Sequence, residues 1–328
     1  MERYILLLTF IGFCTGQSRL GSYNLESSVS VSGISSGAFM ANQFHVSHSG
    51  RVVGAGMFAG GPYYCAIGNM LTATNACMKF PSSISMIPLK AYTETCASTG
   101  LIDPLSNLAR GRVFIFSGTK DSVLVQGVAK KLEDYYRAYI TSGVIKTVYN
   151  IAAEHSMPTD SYGGACGSLN NEYINNCNYN GAYEALNHIH GGLQKPSSSA
   201  GQTGQLIFFD QSEFFNLAPA VTYGMDTAGY VYVPTACSNG ARCRLHIAFH
   251  GCLQGREKLG DKFARYAGYN QVADLNNFII LYPQARTIAT NPNGCWDWWG
   301  YTGLVYATKN SFQVTGVQRM MLRTMGQY

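Results

Sequence analysis

The chain has 328 residues, of which 46% are hydrophobic and only 12% charged. That balance excludes intrinsic disorder and provides for one large domain or two small ones. The formal net charge of +5 is small and unclustered, which argues against a nucleic-acid partner. Tyrosine, with 22 copies, and asparagine take the place of the missing charges, so the expected surface is neutral, aromatic and suited to uncharged material.

Residues 1–16 read as a signal peptide. Arg3 supplies a basic start, Tyr4 to Phe13 an apolar run too short to span a bilayer, and Cys14-Thr15-Gly16 small residues for cleavage before Gln17. No later segment reaches the ~18 apolar residues of a membrane span. The expected location is therefore extracellular. Residues 17–328 are expected to form a single catalytic domain with no separate substrate-binding module, acting as a monomer.

Next comes Val29-Ser30-Val31-Ser32-Gly33-Ile34-Ser35-Ser36-Gly37, a strand-like stretch running into G-x-S-x-G, followed by a helix-like stretch from Ala38 to Ser47. Strand, glycine-flanked serine and helix are the context of a nucleophile elbow, in which glycines without Cβ atoms permit the sharp turn that exposes the serine. Val52 to Phe58 reads as a buried strand ending in Ala59-Gly60-Gly61-Pro62, and residues 63–108 read as loop-rich, with scattered prolines. Arg112 to Phe116 is a strand before Ser117-Gly118-Thr119-Lys120-Asp121, Gly127 to Ile140 has helical spacing, and Lys146 to Ile151 is a strand before Ala152-Ala153-Glu154-His155. A helix is expected over Ala182 to Leu193, and Lys195 to Gly204 has the composition of a linker.

The second part opens on strands at Gln205 to Phe209 and Gly229 to Pro234. A third, Arg244 to Phe249, runs into His250-Gly251-Cys252. A helix over Asp261 to Leu275, a buried strand over Phe278 to Pro283, a loop rich in tryptophan and an amphipathic helix over Val314 to Met325 complete the chain. Strands alternating with helices imply a mostly parallel sheet covered on both faces.

Ten cysteines fit an oxidising compartment. With Cys14 set aside, Cys65 and Cys77, Cys166 and Cys177, and Cys237 and Cys243 fall in close pairs that read as loop-closing disulfides. Cys252 and Cys295 flank glycine-rich loops and are available for a fourth bridge, although spacing alone does not settle connectivity, and Cys96 is left over. No C-x-x-C spacing points to zinc, and no metal or organic cofactor is expected.

A serine nucleophile needs a base, and the base needs an orienting acid. Asp121 and His155 each follow a β-run, in the order Ser35, Asp121, His155 expected of an α/β-hydrolase. The rivals read less well. His45 and His48 share a helix and are expected at the surface, His188 and His190 point to different sides of a helix, and His246 reads as core. Asp160 reads as a turn or cap residue. The oxyanion hole needs two backbone N–H groups, one from Ser36 and one from a His-Gly loop after an early strand. Here that loop, with Cys252 as donor, comes after His155 rather than before Ser35. This order predicts a circularly permuted α/β-hydrolase, whose last helix ends beside the start of the elbow strand. Close termini make such a rearrangement tolerable.

The segments SVSGISSGAFMA, FAGGPYYCA, SGTKDS, EHSMPTD, NNCNYNGA, MDTAGYVYVP, LHIAFHGCLQG, IILYPQA and NPNGCWDWWG resemble the extracellular poly(3-hydroxybutyrate) depolymerases, in particular the permuted single-domain type known from fungi. The resemblance runs from Val29 to the last helix. It implies Ser35 as nucleophile, Asp121 as acid, His155 as base, and Ser36 and Cys252 as oxyanion donors. It also implies that the stretch holding Trp296, Trp298 and Trp299 lines the substrate groove, and that every cysteine from Cys65 onward except Cys96 is bridged. His250 is grouped with the groove residues, with loop positioning as its other reading. The implied activity is hydrolysis of hydroxyalkanoate polyesters or their oligomers. A related esterase acting on feruloyl, acetyl or other small esters, and a non-catalytic binding protein on the same fold, are the alternatives.

Overall fold

The computed structural model describes residues 17–328. The expected signal peptide lies outside them. The chain forms strands β1 (Leu25–Ile34), β2 (Val52–Phe58), β3 (Arg112–Phe116) and β4 (Val144–Val148), then short strands β5 (Met157–Thr159), β6 (Gly164–Ala165) and β7 (Ile174–Asn176). Strands β8 (Gln205–Asp210), β9 (Ala228–Val233), β10 (Cys243–Phe249) and β11 (Phe278–Tyr282) follow. The α-helices are α1 (Ser36–Ser47), α2 (Met70–Thr74), α3 (Met86–Ser98), α4 (Gln126–Arg137), α5 (Gly181–His190), α6 (Thr235–Ser238), α7 (Arg256–Leu259), α8 (Lys262–Tyr266), α9 (Tyr269–Asn276) and α10 (Phe312–Thr324).

Eight strands make one sheet in the order β4-β3-β2-β1-β10-β11-β9-β8. All neighbours are parallel from β4 to β11, and β9 and β8 add an antiparallel edge. The elbow strand β1 thus lies in the middle. The chain builds outward from it to β4 and then returns to fill the other side. This is the arrangement expected of a permuted α/β-hydrolase, and the end of α10 does meet the start of β1. Side chains alternate across the sheet with the period of two that strands impose. Leu245, Ile247, Ile279 and Leu281 face a core shared with Phe44 of α1, Leu132 of α4 and Met320 of α10. Ala248, Phe278, Ile280 and Tyr282 face a second core with Leu186 of α5 and Val272 of α9. Burial of both sheet faces is why the strands read as near-continuous apolar runs.

The structure corrects several expectations. The loop-rich stretch 63–108 also holds two helices that its sequence did not single out, α2 and α3, and contributes, with Phe39, Leu124 and Trp298, to a third apolar cluster. The helix expected over residues 261–275 is broken into α8 and α9, because Gly268 at the junction has φ +89°. The stretch from Lys195 to Gly204 connects α5 to β8 of the same sheet. His45 and His48 are buried rather than exposed, since α1 packs against the sheet and α10 and all twelve of its residues are enclosed. Their burial lowers both pKa values to about 4. His246 lies in the core as expected, bonded to Ser30 and Ser32.

Candidate active site

In a parallel sheet the loops at the carboxyl ends of the strands gather around the point where the chain reverses direction of travel. Here that point lies between β1 and β10. Ser35 follows β1 at φ 56° and ψ −123°, a conformation an L-residue adopts only when its surroundings enforce it. The enforcement is visible in the flanking glycines. A Cβ on Gly33 would stand 2.2 Å from the Gly37 carbonyl oxygen, and one on Gly37 would stand 2.3 Å from the carbonyl oxygens of both Phe249 and His250. The elbow is therefore pressed directly onto the end of β10, where only glycine fits.

Asp121 and His155 arrive from the exits of β3 and β4. His155 Nδ1 lies 2.9 Å from Asp121 Oδ2, and both side chains are almost wholly buried. The other carboxylate oxygen of Asp121 accepts the amides of Val123 and Leu124 at 2.9 and 2.7 Å. An ionised carboxylate only accepts, so Nδ1 carries a proton, which in the neutral imidazole leaves Nε2 as the acceptor. Glu154 joins the two loops: its Oε1 accepts the amides of Ser122 at 2.6 Å and His155 at 3.0 Å. Burial pushes its pKa up, but these amide bonds outweigh burial and hold it below the ordinary carboxylate range.

Ser35 and His155 both open onto one cavity of about 250 Å³, which also reaches Phe39, Met70, Leu124, Tyr173, Cys252, Trp298 and Trp299. Apart from His155, its lining contains no ionisable side chain other than the tyrosine. Trp298 stacks on Phe39 with centroids 4.1 Å apart, and the partly exposed Trp299 meets Trp298 edge-on. Cys252 is bonded to Cys295, which ties the His-Gly loop to the tryptophan loop. The pairs 65–77, 166–177 and 237–243 also form, and Cys96 is free and buried.

Trp296 and His250 do not reach the cavity. Both are fully buried behind its wall, because each is held by hydrogen bonds within the loops. Trp296 Nε1 donates to the His250 carbonyl at 3.0 Å. The Ala285 amide donates to His250 Nε2 at 3.0 Å, so the ring proton is on Nδ1, which donates to the Gly251 carbonyl at 2.7 Å. Burial keeps this imidazole neutral, with its pKa lowered to about 4. The N–H of Cys252 points opposite the Gly251 carbonyl across one planar trans peptide. Holding that carbonyl on the buried side therefore turns the Cys252 amide toward the cavity. Ser36 begins α1, where the first amides of a helix have no internal acceptor. Asp160 accepts from Asn180, the N-cap of α5, and is remote in role from His155.

Phe39, Met70, Tyr173 and Gln254 also line the cavity, although the sequence did not mark them as site residues. Phe39 and Met70 carried no signal beyond apolarity. Glu154 stood beside His155 in the sequence, but the loop it pins was not visible there.

An elbow after the central strand, a carboxylate–imidazole pair at the exits of the parallel strands β3 and β4 and a His-Gly loop on the strand neighbouring the elbow define an α/β-hydrolase, circularly permuted. A crystal structure of PHB depolymerase from Penicillium funiculosum superposes with a TM-score of 0.86 at 34% identity, covering 95% of this chain and all of that one. So does a structure of a PHB depolymerase serine-to-alanine variant complexed with an R3HB trimer, at the same score, identity and coverage. A polyhydroxybutyrate depolymerase from Talaromyces funiculosus is 37% identical over 91% of this chain and 88% of its own length. A poly(3-hydroxybutyrate) depolymerase from Delftia acidovorans is 43% identical over 91% of this chain, which spans 60% of the Delftia protein. No family model matches the chain. The chain belongs to the polyhydroxybutyrate depolymerase family.

Proposed function

We propose that this protein is a secreted serine esterase that cleaves poly(3-hydroxybutyrate)-type polyesters or their oligomers through an acyl-enzyme. The observation that carries the reading is the meeting of Ser35 and His155 in one apolar cavity, with Asp121 bonded to the far side of the imidazole. In the proposed reaction Nε2 of His155 takes the hydroxyl proton as Ser35 Oγ attacks the ester carbonyl. Asp121 orients the ring and stabilises its charged form, and the amides of Ser36 and Cys252 receive the oxyanion. Collapse of the intermediate expels the alcohol with a proton from His155. Water then attacks the acyl-enzyme with His155 as base.

An aliphatic polyester offers neither charge nor hydrogen-bond donors along its chain, and the cavity lining matches that chemistry. Met70 of that lining is exposed, as are its apolar chain neighbours Ile67 and Leu71, and the exposed Leu304 lies against Gly68 of the same segment. Four disulfides support an oxidising, extracellular setting. The proposal takes residues 17–328 as one catalytic domain acting as a monomer, and the net charge of only +5 supports a reading without nucleic acid.

The test is release of soluble hydroxyacids from a poly(3-hydroxybutyrate) film, run beside p-nitrophenyl and feruloyl esters, for the unaltered protein and Ser35→Ala. Film hydrolysis that disappears in Ser35→Ala is the expected result. Turnover confined to the aryl esters would move the substrate to small esters. Failure of Ser35 to react with a phosphonate ester would favour a binding protein.

A further inference from the structure

Gln254 is almost completely buried beside the cavity, and both ends of its amide are hydrogen-bonded. Its Oε1 accepts the Gly251 amide at 2.7 Å. Its two Nε2 hydrogens go to the carbonyls of Glu172 at 2.8 Å and Tyr173 at 3.1 Å. One side chain thus joins the oxyanion loop after β10 to a segment some eighty residues earlier in the sequence. That segment is the one that backs the imidazole. The Tyr173 carbonyl also accepts the Met157 amide at 2.8 Å, two residues beyond His155. The Tyr173 ring meets the His155 ring edge-on, with centroids 6.1 Å apart. Tyr173 is held at φ 52° and Leu253, beside Gln254, at φ 62°, so neither loop rests in a conformation that the backbone prefers by itself.

From this geometry, and resting on the serine-esterase reading above, we infer that Gln254 is a positioning residue that sets the Cys252 amide and the His155 imidazole in register around Ser35. The requirement is for one acceptor and two donors on a planar head at the end of two methylenes. Among the side chains only glutamine supplies it. An ionised glutamate has no donor, methionine has neither function, and asparagine is one methylene short. The apolar walls that hold the acyl chain make no use of these bonds. Their loss therefore removes transition-state stabilisation and leaves ground-state binding in place.

The experiment uses the full chain with p-nitrophenyl butyrate as probe, comparing Gln254→Met, Gln254→Glu and Ser35→Ala, each checked by circular dichroism and a melting curve. Gln254→Met is expected to lower kcat roughly ten- to a hundredfold while KM stays within about threefold. Gln254→Glu keeps an acceptor for Gly251, and its protonated form donates one hydrogen bond while its ionised form donates none. Its activity relative to the unaltered protein is expected to fall as pH rises through the carboxyl titration, a limb the other proteins lack. If Gln254→Met does not fold, that limb decides alone. A folded Gln254→Met with unaltered kcat, or a Gln254→Glu profile parallel to that of the unaltered protein, overturns the inference while leaving the serine-esterase reading intact. Absence of Ser35-dependent turnover in the unaltered protein overturns both.

Discussion

The amide of Tyr23 donates to the carbonyl of Thr324 at 3.0 Å, so the lead-in to the elbow strand is bonded to the end of the last helix. A Cβ on Gly326 would likewise stand 3.8 Å from Ser22 Cβ. The break in the chain therefore falls where an unpermuted hydrolase runs straight from helix to elbow strand. Joining Tyr328 to the segment before Tyr23 through a short Gly/Ser linker, and opening the chain within the exposed loop at Ser197–Ser199, should restore the usual strand order around the same site. Such a protein is expected to keep its far-UV circular dichroism and its esterase activity, because exposed loops tolerate new termini. An insoluble product would mean that the order of the two halves matters to folding.

The elbow allows a sharper test. Gly37→Ala places a methyl against two backbone carbonyls at 2.3 Å, and neither belongs to a flexible side chain. The expected loss is about 1–3 kcal/mol or more in urea denaturation. Activity should fall further than stability alone explains, because one of the displaced carbonyls is that of His250, which opens the oxyanion loop. Stability equal to that of the unaltered protein would show that β10 gives way easily.

Much of this was legible in the sequence because period and punctuation survive permutation. G-x-S-x-G, the β-runs before Asp121 and His155, and His250-Gly251 each combine a strand with a turn, and local chemistry marks both. What stayed hidden depends on enclosure by distant elements. The helices of the loop-rich stretch 63–108 did not stand out because α2 and α3 bury few residues each and so lack a strong apolar stripe. Polar residues of α1 such as Asn42 and His45 look like a solvated face, but Tyr136 from α4 bonds to both. Trp296 and Trp298 differ by two positions, yet one supports the wall from behind and the other faces the cavity.

His45 makes acid sensitivity predictable. Burial alone lowers its pKa from 6.5 to about 4. Above pH 6.5 both the folded and unfolded forms are neutral and nothing is lost. As pH falls from 6.5 toward 4 the unfolded chain takes up the proton and the folded one does not. Stability should then fall by about 1.4 kcal/mol per pH unit for each such histidine, and His250, also near 4, adds to the slope. Urea midpoints between pH 7 and 4.5 measure it. A His45→Gln variant should show a shallower dependence, and a slope identical to that of the unaltered protein would refute the assignment.

The Cys252–Cys295 bond closes a separation of 43 residues, for which loop-closure entropy gives about 4 kcal/mol of stabilisation. The Cys237–Cys243 bond closes only 6 and lies at the start of β10, away from the cavity. If the first bond matters chiefly as a brace for the oxyanion loop, replacing Cys252 and Cys295 by alanine should cost kcat as well as stability. Replacing Cys237 and Cys243 should cost a smaller amount of stability and leave kcat alone. Comparing both variants at a temperature well below either melting point separates the two effects. Equal kcat in the two variants would mean that hydrogen bonds alone, from His250 and Gln254, hold the Cys252 amide in place.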